Sequence, residues 1–155
     1  MKTISDLQPI LSELPFLKGM KPEHLELMTG CAANVQFQPD EYLFKEGDES
    51  NAFYILRSGR VAIEIIAPGV EKIILQTCGE EETVGWSWLV GPHGWRYAGR
   101  AVTVTRAILF DGKCLRTKCE EDHDLGYELF KRVSLVIASR LESTRLQLLD
   151  LYVNR

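Results

Sequence analysis

The chain has 155 residues, a length at which one hydrophobic core buries most of the apolar surface, so a single structural domain is expected. Its formal net charge of −4 lacks the basic excess of a typical nucleic-acid binder, although a basic face can hide within an acidic total. No stretch approaches the roughly 18 consecutive apolar residues of a membrane-spanning helix, and the N-terminus carries Asp6 and Glu13 with no basic leader, so a cytoplasmic protein without a membrane partner is expected.

Residues 1–33 read as a helical cap. Residues 4–14 are amphipathic, Pro15 and Pro22 punctuate, and Pro22 suits the start of a second helix over 22–28. From Asn34 the apolar period changes to two, with Val35 and Phe37 alternating with Gln36 and Gln38. Short β-rich runs follow at 42–44, 52–56, 61–66 and 72–76, separated by the turn signals Pro39-Asp40, Glu46-Gly47-Asp48, Ser58-Gly59 and Pro68-Gly69. After an irregular segment rich in tryptophan, strands resume at 99–104 and 107–110, and helical spacing returns at 111–120. Strands this short and evenly spaced predict an antiparallel double-stranded β-helix, or jelly-roll barrel, over 34–121.

Residues 122–155 predict a long C-terminal helix, with Glu128 placed to pair with Arg132 four residues on. At 1.5 Å per residue the helix spans roughly 40 Å and outruns its barrel, so part of its apolar stripe needs another cover. Leu129, Val133, Val136, Ile137, Leu141 and Leu148 are the candidate contacts of a homodimer. The alternative is a helix folded back entirely on its own barrel.

The run Tyr42-Leu43-Phe44-Lys45-Glu46-Gly47-Asp48, followed by Phe53-Tyr54-Ile55-Leu56-Arg57-Ser58-Gly59-Arg60-Val61, resembles the cyclic-nucleotide-binding domain of the catabolite-activator and fumarate-nitrate-regulator family. The helical lead-in through Pro15-Phe16-Leu17 and His24-Leu25, and the later Arg100-Ala101-Val102 and Thr105-Arg106-Ala107, extend the resemblance over most of the chain. It implies a ligand cassette in which a helix beginning Gly-Glu meets a cyclic phosphate, the Glu binds ribose, and an Arg-Ser/Thr-Ala completes the site. A helix N-terminus and a guanidinium bind an anion, and a carboxylate accepts sugar hydroxyls. Here Gly85 matches, but Trp86 stands at the ribose-binding position. Counting forward from Gly85 puts Arg96 at the phosphate-binding position, with Tyr97 for the small hydroxyl residue, whereas counting back from Arg100 puts Trp95 there. Loss of one charged hydrogen bond costs about 1.5 to 3 kcal/mol, roughly ten- to a hundredfold in affinity, which disfavours cyclic AMP and cyclic GMP and leaves the ligand unknown.

The candidate pocket therefore comprises Gly85, Trp86, Ser87, Trp88, Trp95, Arg96, Tyr97 and Arg100. Two readings stay open. Either the aromatic residues line a reshaped pocket for another small ligand, with Arg96 or Arg100 holding an anionic group, or they close the former pocket and pack.

Other chemistry finds little support. His24, His93 and His123 are scattered, no metal site is expected, and Cys31, Cys78, Cys114 and Cys119 contain no C-x-x-C pair and are expected to be reduced core thiols. By analogy with haem-bearing relatives His93 is a conceivable axial ligand. No nucleophile motif or phosphate-cradling glycine loop occurs, so no enzyme is expected. Residues 146–155 are too short for a helix-turn-helix, so direct DNA reading is not expected of this chain. The function expected is a stand-alone sensor or adaptor signalling through its C-terminal helix. The alternatives are a cyclic AMP or cyclic GMP receptor and a ligand-free interaction protein.

Overall fold

The computed structural model describes residues 4–66, 68–69, 71–91 and 94–154. Two helices, α1 (Ile4–Glu13) and α2 (Pro22–Thr29), joined through a 3-10 turn at Pro15–Leu17, precede eight strands. These are β1 (Ala32–Phe37), β2 (Tyr42–Phe44), β3 (Ala52–Ser58), β4 (Val61–Ile66), β5 (Lys72–Cys78), β6 (Thr83–Val84), β7 (Ala98–Ala101) and β8 (Thr105–Asp111). Two more helices, α3 (Gly112–Glu121) and α4 (His123–Val153), complete the fold. The strands form two four-stranded antiparallel sheets, ordered β1-β8-β3-β6 and β2-β7-β4-β5, in the jelly-roll arrangement that the alternation predicts.

Strand β3 shows why the core has two halves. Successive side chains of a strand point to opposite faces. Phe53 and Ile55 pack under the helices with Leu17, Met28, Trp88 and Ile108, while Tyr54 and Leu56 join Phe44, Val61, Val84 and Ala107 on the other face. Both faces are covered, so the strand reads as a nearly unbroken apolar run. At the β3–β4 turn Gly59 has φ +91°, and a Cβ there would lie 2.5 Å from the Val104 carbonyl oxygen, so only glycine fits.

The helices after the barrel are fastened to the N-terminal cap. Asp111 caps α3 by accepting from the Cys114 N–H. Asp122, in extended conformation, breaks α3 from α4 and caps the latter by accepting from the N–H groups of Asp124 and Leu125. Lys118 donates to the Leu27 carbonyl at 2.7 Å, and Arg132 donates to the carbonyls of Phe16 and Lys18 at 2.7 and 3.0 Å. Leu125, Leu129 and Val133 are buried beneath these ties, and Glu128 meets Arg132 at 3.5 Å as its spacing predicts. From Leu141 onward every described residue of α4 is exposed. None of the described helices is long and apolar enough to cross a membrane.

The cysteines correct an expectation. Cys31 and Cys114 form a disulfide, with Cα atoms 5.7 Å apart, while Cys78 and Cys119 stay free. The partners are 83 residues apart, and the Asp111 N–H donating to the Cys31 carbonyl at 2.9 Å brings their segments together, a juxtaposition local spacing does not reveal. Burial pushes both free thiols up to about 11, so each is overwhelmingly protonated at pH 8. Thiol titration is expected to find neither Cys78 nor Cys119 reacting rapidly in the folded protein at pH 8. Two thiols should react after denaturation alone and four after reduction. Four without reductant would contradict the pairing.

Candidate functional site

Between β6 and β7 the chain makes a cassette whose three tryptophans go to three different places. At the end of β6, Gly85 takes φ +95°, and a Cβ there would stand 2.5 Å from the Trp95 ring, so glycine serves both the turn and the close approach. A turn follows, in which the N–H groups of Leu89 and Val90 donate to the Trp86 carbonyl. It sends Trp86 and Trp88 in opposite senses.

Trp88 goes inward. It is fully buried, stacks on Phe53 at a centroid distance of 5.2 Å, and its carbonyl accepts from Arg116 Nη1 at 2.6 Å. Arg116 also donates to Asn51, pinning the turn to the β2–β3 loop. Trp95 is held by the same loop, its N–H donating to the Asp48 carbonyl and its own carbonyl accepting from the Gly47 N–H, both at 2.9 Å. Its ring lies on Phe44 at 3.5 Å and 9°. Trp86 remains half-buried beneath α4, where the Arg140 guanidinium sits over its ring at 5.3 Å.

These placements leave a cavity of about 490 Å³ between the cassette, the roll and α4. Of the eight pocket residues expected from sequence, Gly85, Trp86, Ser87, Trp95, Arg96 and Tyr97 line it. Trp88 and Arg100 do not. Trp88 faces the core, as above, and Arg100 is engaged elsewhere, pairing with Glu64 at 3.1 Å and Asp40 at 2.9 Å. Glu64, nearly fully buried, also accepts from the Tyr42 hydroxyl, so Arg100 compensates a buried carboxylate instead of presenting itself to a ligand. His93 lies outside the described residues.

The wall also includes residues that local motif reading misses. Phe44, Ile63 and Leu75 enter from the strands, and Ile137, Arg140, Leu141 and Thr144 from α4. The available signal for Arg140 is its spacing: it lies three residues after Ile137 and four before Thr144, hence on one helix face with them. Arg140 donates to the Thr83 carbonyl and lies 3.8 Å from the Cys78 sulfur. Its charge favours the Cys78 thiolate, but the larger effect of burial keeps that thiol protonated. Arg96 is exposed and has no ion-pair or hydrogen-bond partner among the described residues.

The expected dimer contacts divide along α4. Leu129 and Val133 are buried within the chain's own core, and Val136 faces a hollow of about 630 Å³ toward Phe16. Ile137 and Leu141 line the cavity, and Leu148 is exposed beyond it.

Residues 34–122 match the family of the cyclic nucleotide-binding domain. A CRP-like cAMP-activated global transcriptional regulator of Mycobacterium tuberculosis is 26% identical over 145 residues, 94% of this chain and 63% of that protein. The chain thus spans less than two thirds of that regulator's length. Among solved structures, a cyclic nucleotide-binding domain from Methylobacillus flagellatus superposes with TM-score 0.78 at 14% identity, covering 94% of this chain and 82% of that one. The sensor domain of a transcriptional regulator from Pseudomonas aeruginosa gives TM-score 0.73 at 21% identity, covering 92% and 95%. At these identities the solved structures speak to the fold.

Proposed function

The chain belongs to the cyclic nucleotide-binding domain family, and from that membership we propose that it is a non-catalytic sensor or adaptor whose pocket has diverged from cyclic nucleotides and whose output is the disposition of α4. The observation that carries this reading is Arg140. One side chain of α4 lies on the cavity's Trp86 and donates to the Thr83 carbonyl, so a molecule entering the cavity meets the group that holds the helix. A ligand preferring one helix position shifts the equilibrium by its differential affinity for the two. The open volume favours this reading over a pocket filled by its own aromatic residues.

Cyclic AMP and cyclic GMP fit poorly. Trp86 occupies the position at which the family resemblance implies a ribose-binding carboxylate, and no acidic side chain is among the described lining residues. Thermal-shift titration with cyclic AMP and cyclic GMP is expected to be flat for the wild type and positive for Trp86→Glu. Micromolar binding by the wild type would contradict the reading.

Self-association through α4 completes the proposal. Ile137, Leu141, Thr144, Leu148 and Leu151 recur at alternating steps of four and three, the spacing of a coiled-coil seam, and the last four are exposed. Isologous pairing along that seam closes a twofold dimer and places its contacts beside the cavity, which shares Ile137, Leu141 and Thr144. Leu148→Asp is expected to convert a dimer to a monomer in sedimentation velocity without altering the circular dichroism of the barrel. A wild-type monomer, or a variant that stays dimeric, would contradict the seam.

A further inference from the structure

We infer that the cavity takes a planar aromatic carboxylate, a deduction that rests on reading the cavity as a ligand site. Volume, wall chemistry and charge converge on this class. A space of about 490 Å³ falls within the usual size of small-molecule sites and accommodates a body of one or two rings. Phe44, Trp86, Trp95 and Tyr97 supply flat apolar walls, with Ile137 and Leu141 closing from α4. An aromatic body buries its faces against such walls.

Charge selects the polar end of the ligand. Arg96 and Arg140 are the ionisable cations of the described lining, and no Asp or Glu stands among the described lining residues to neutralise them. Arg96 has no partner among the described residues, and Arg140 meets a carbonyl, a thiol and a ring, none of them anionic in the folded protein. Within the described cavity lining neither arginine has an ion-pair partner: Arg96 is exposed, and half-buried Arg140 also borders the neighbouring hollow that Glu81 and Glu82 line. A guanidinium matches a carboxylate in its planar fork geometry. Arg140 would then couple occupancy to α4, since a carboxylate drawing on its donors competes with the Thr83 carbonyl.

The test is calorimetric titration of the whole chain with 2-naphthoate and with indole-3-acetate, each set against its own primary amide. At least one acid is expected to bind roughly tenfold or more tightly than its amide, the usual scale of a charge-assisted hydrogen bond. Arg96→Gln, at an exposed position, and Arg140→Gln should each reduce that preference, read as the ratio of acid to amide affinity within the same variant. Equal affinity of acid and amide would overturn the inference while leaving a ligand cavity in place. Absence of heat from both acids up to their solubility limits would overturn it as well, as would a preference unaffected by either arginine substitution. Failure of the underlying reading looks different: cyclic AMP would bind the wild type at micromolar concentration and neither acid would compete with it.

Discussion

The contact between Arg140 and the cassette divides α4 into two mechanically different halves. Up to Val133 the helix is part of the protein body, with Leu125, Leu129 and Val133 buried and Arg132 donating to two carbonyls of the cap. Beyond Leu141 it is exposed along its described length. Arg140 is the last described residue of α4 that is not exposed, and its guanidinium exchanges water for the Thr83 carbonyl and the face of Trp86. A cation on an indole contributes about 0.5 to 2 kcal/mol depending on desolvation. That is enough to bias a helix position and little enough for a ligand to reverse it.

The cavity beneath this contact depends on the division of labour among the tryptophans. Trp88 anchors the cassette to the core, and Trp95, passing close over Gly85 to stack on Phe44, fixes one wall. Trp86, in the position where the resemblance implies a carboxylate, contributes an apolar wall and a seat for a cation. On the proposed reading, an indole there offers a sugar hydroxyl no acceptor and gives Arg140 of α4 a ring to lie on.

Much of this architecture is legible in the amino-acid order. The period-two alternation around Val35 and Phe37, and the turn pairs such as Ser58-Gly59, mark the strands because each strand's faces are set by its own side chains. Strand β6 is not legible, since Thr83 and Val84 are too few to display a period. The opposite orientations of Trp86 and Trp88 depend on the left-handed backbone of Gly85 and the turn after it, and the destination of Arg100 depends on Glu64, placed alongside by strand pairing. The disulfide pairs residues too distant along the chain for spacing to register. On α4 an apolar stripe does not show what covers each part of it: Leu129 and Val133 turn to the core of their own chain, whereas Leu148 is exposed.

The α4 helix is held to the cassette through Arg140 on Trp86. The most direct measurement is a double-mutant cycle on Trp86→Ala and Arg140→Gln, read by equilibrium urea unfolding at one fixed protein concentration. Because Arg140 also bonds to the Thr83 carbonyl, the single variants mix several effects, whereas the cycle isolates the pair. A coupling of about 1 kcal/mol between the two positions is predicted. Additivity within about 0.3 kcal/mol would contradict the claim, because a guanidinium that seats the helix on that ring must lose its contribution when the ring is removed.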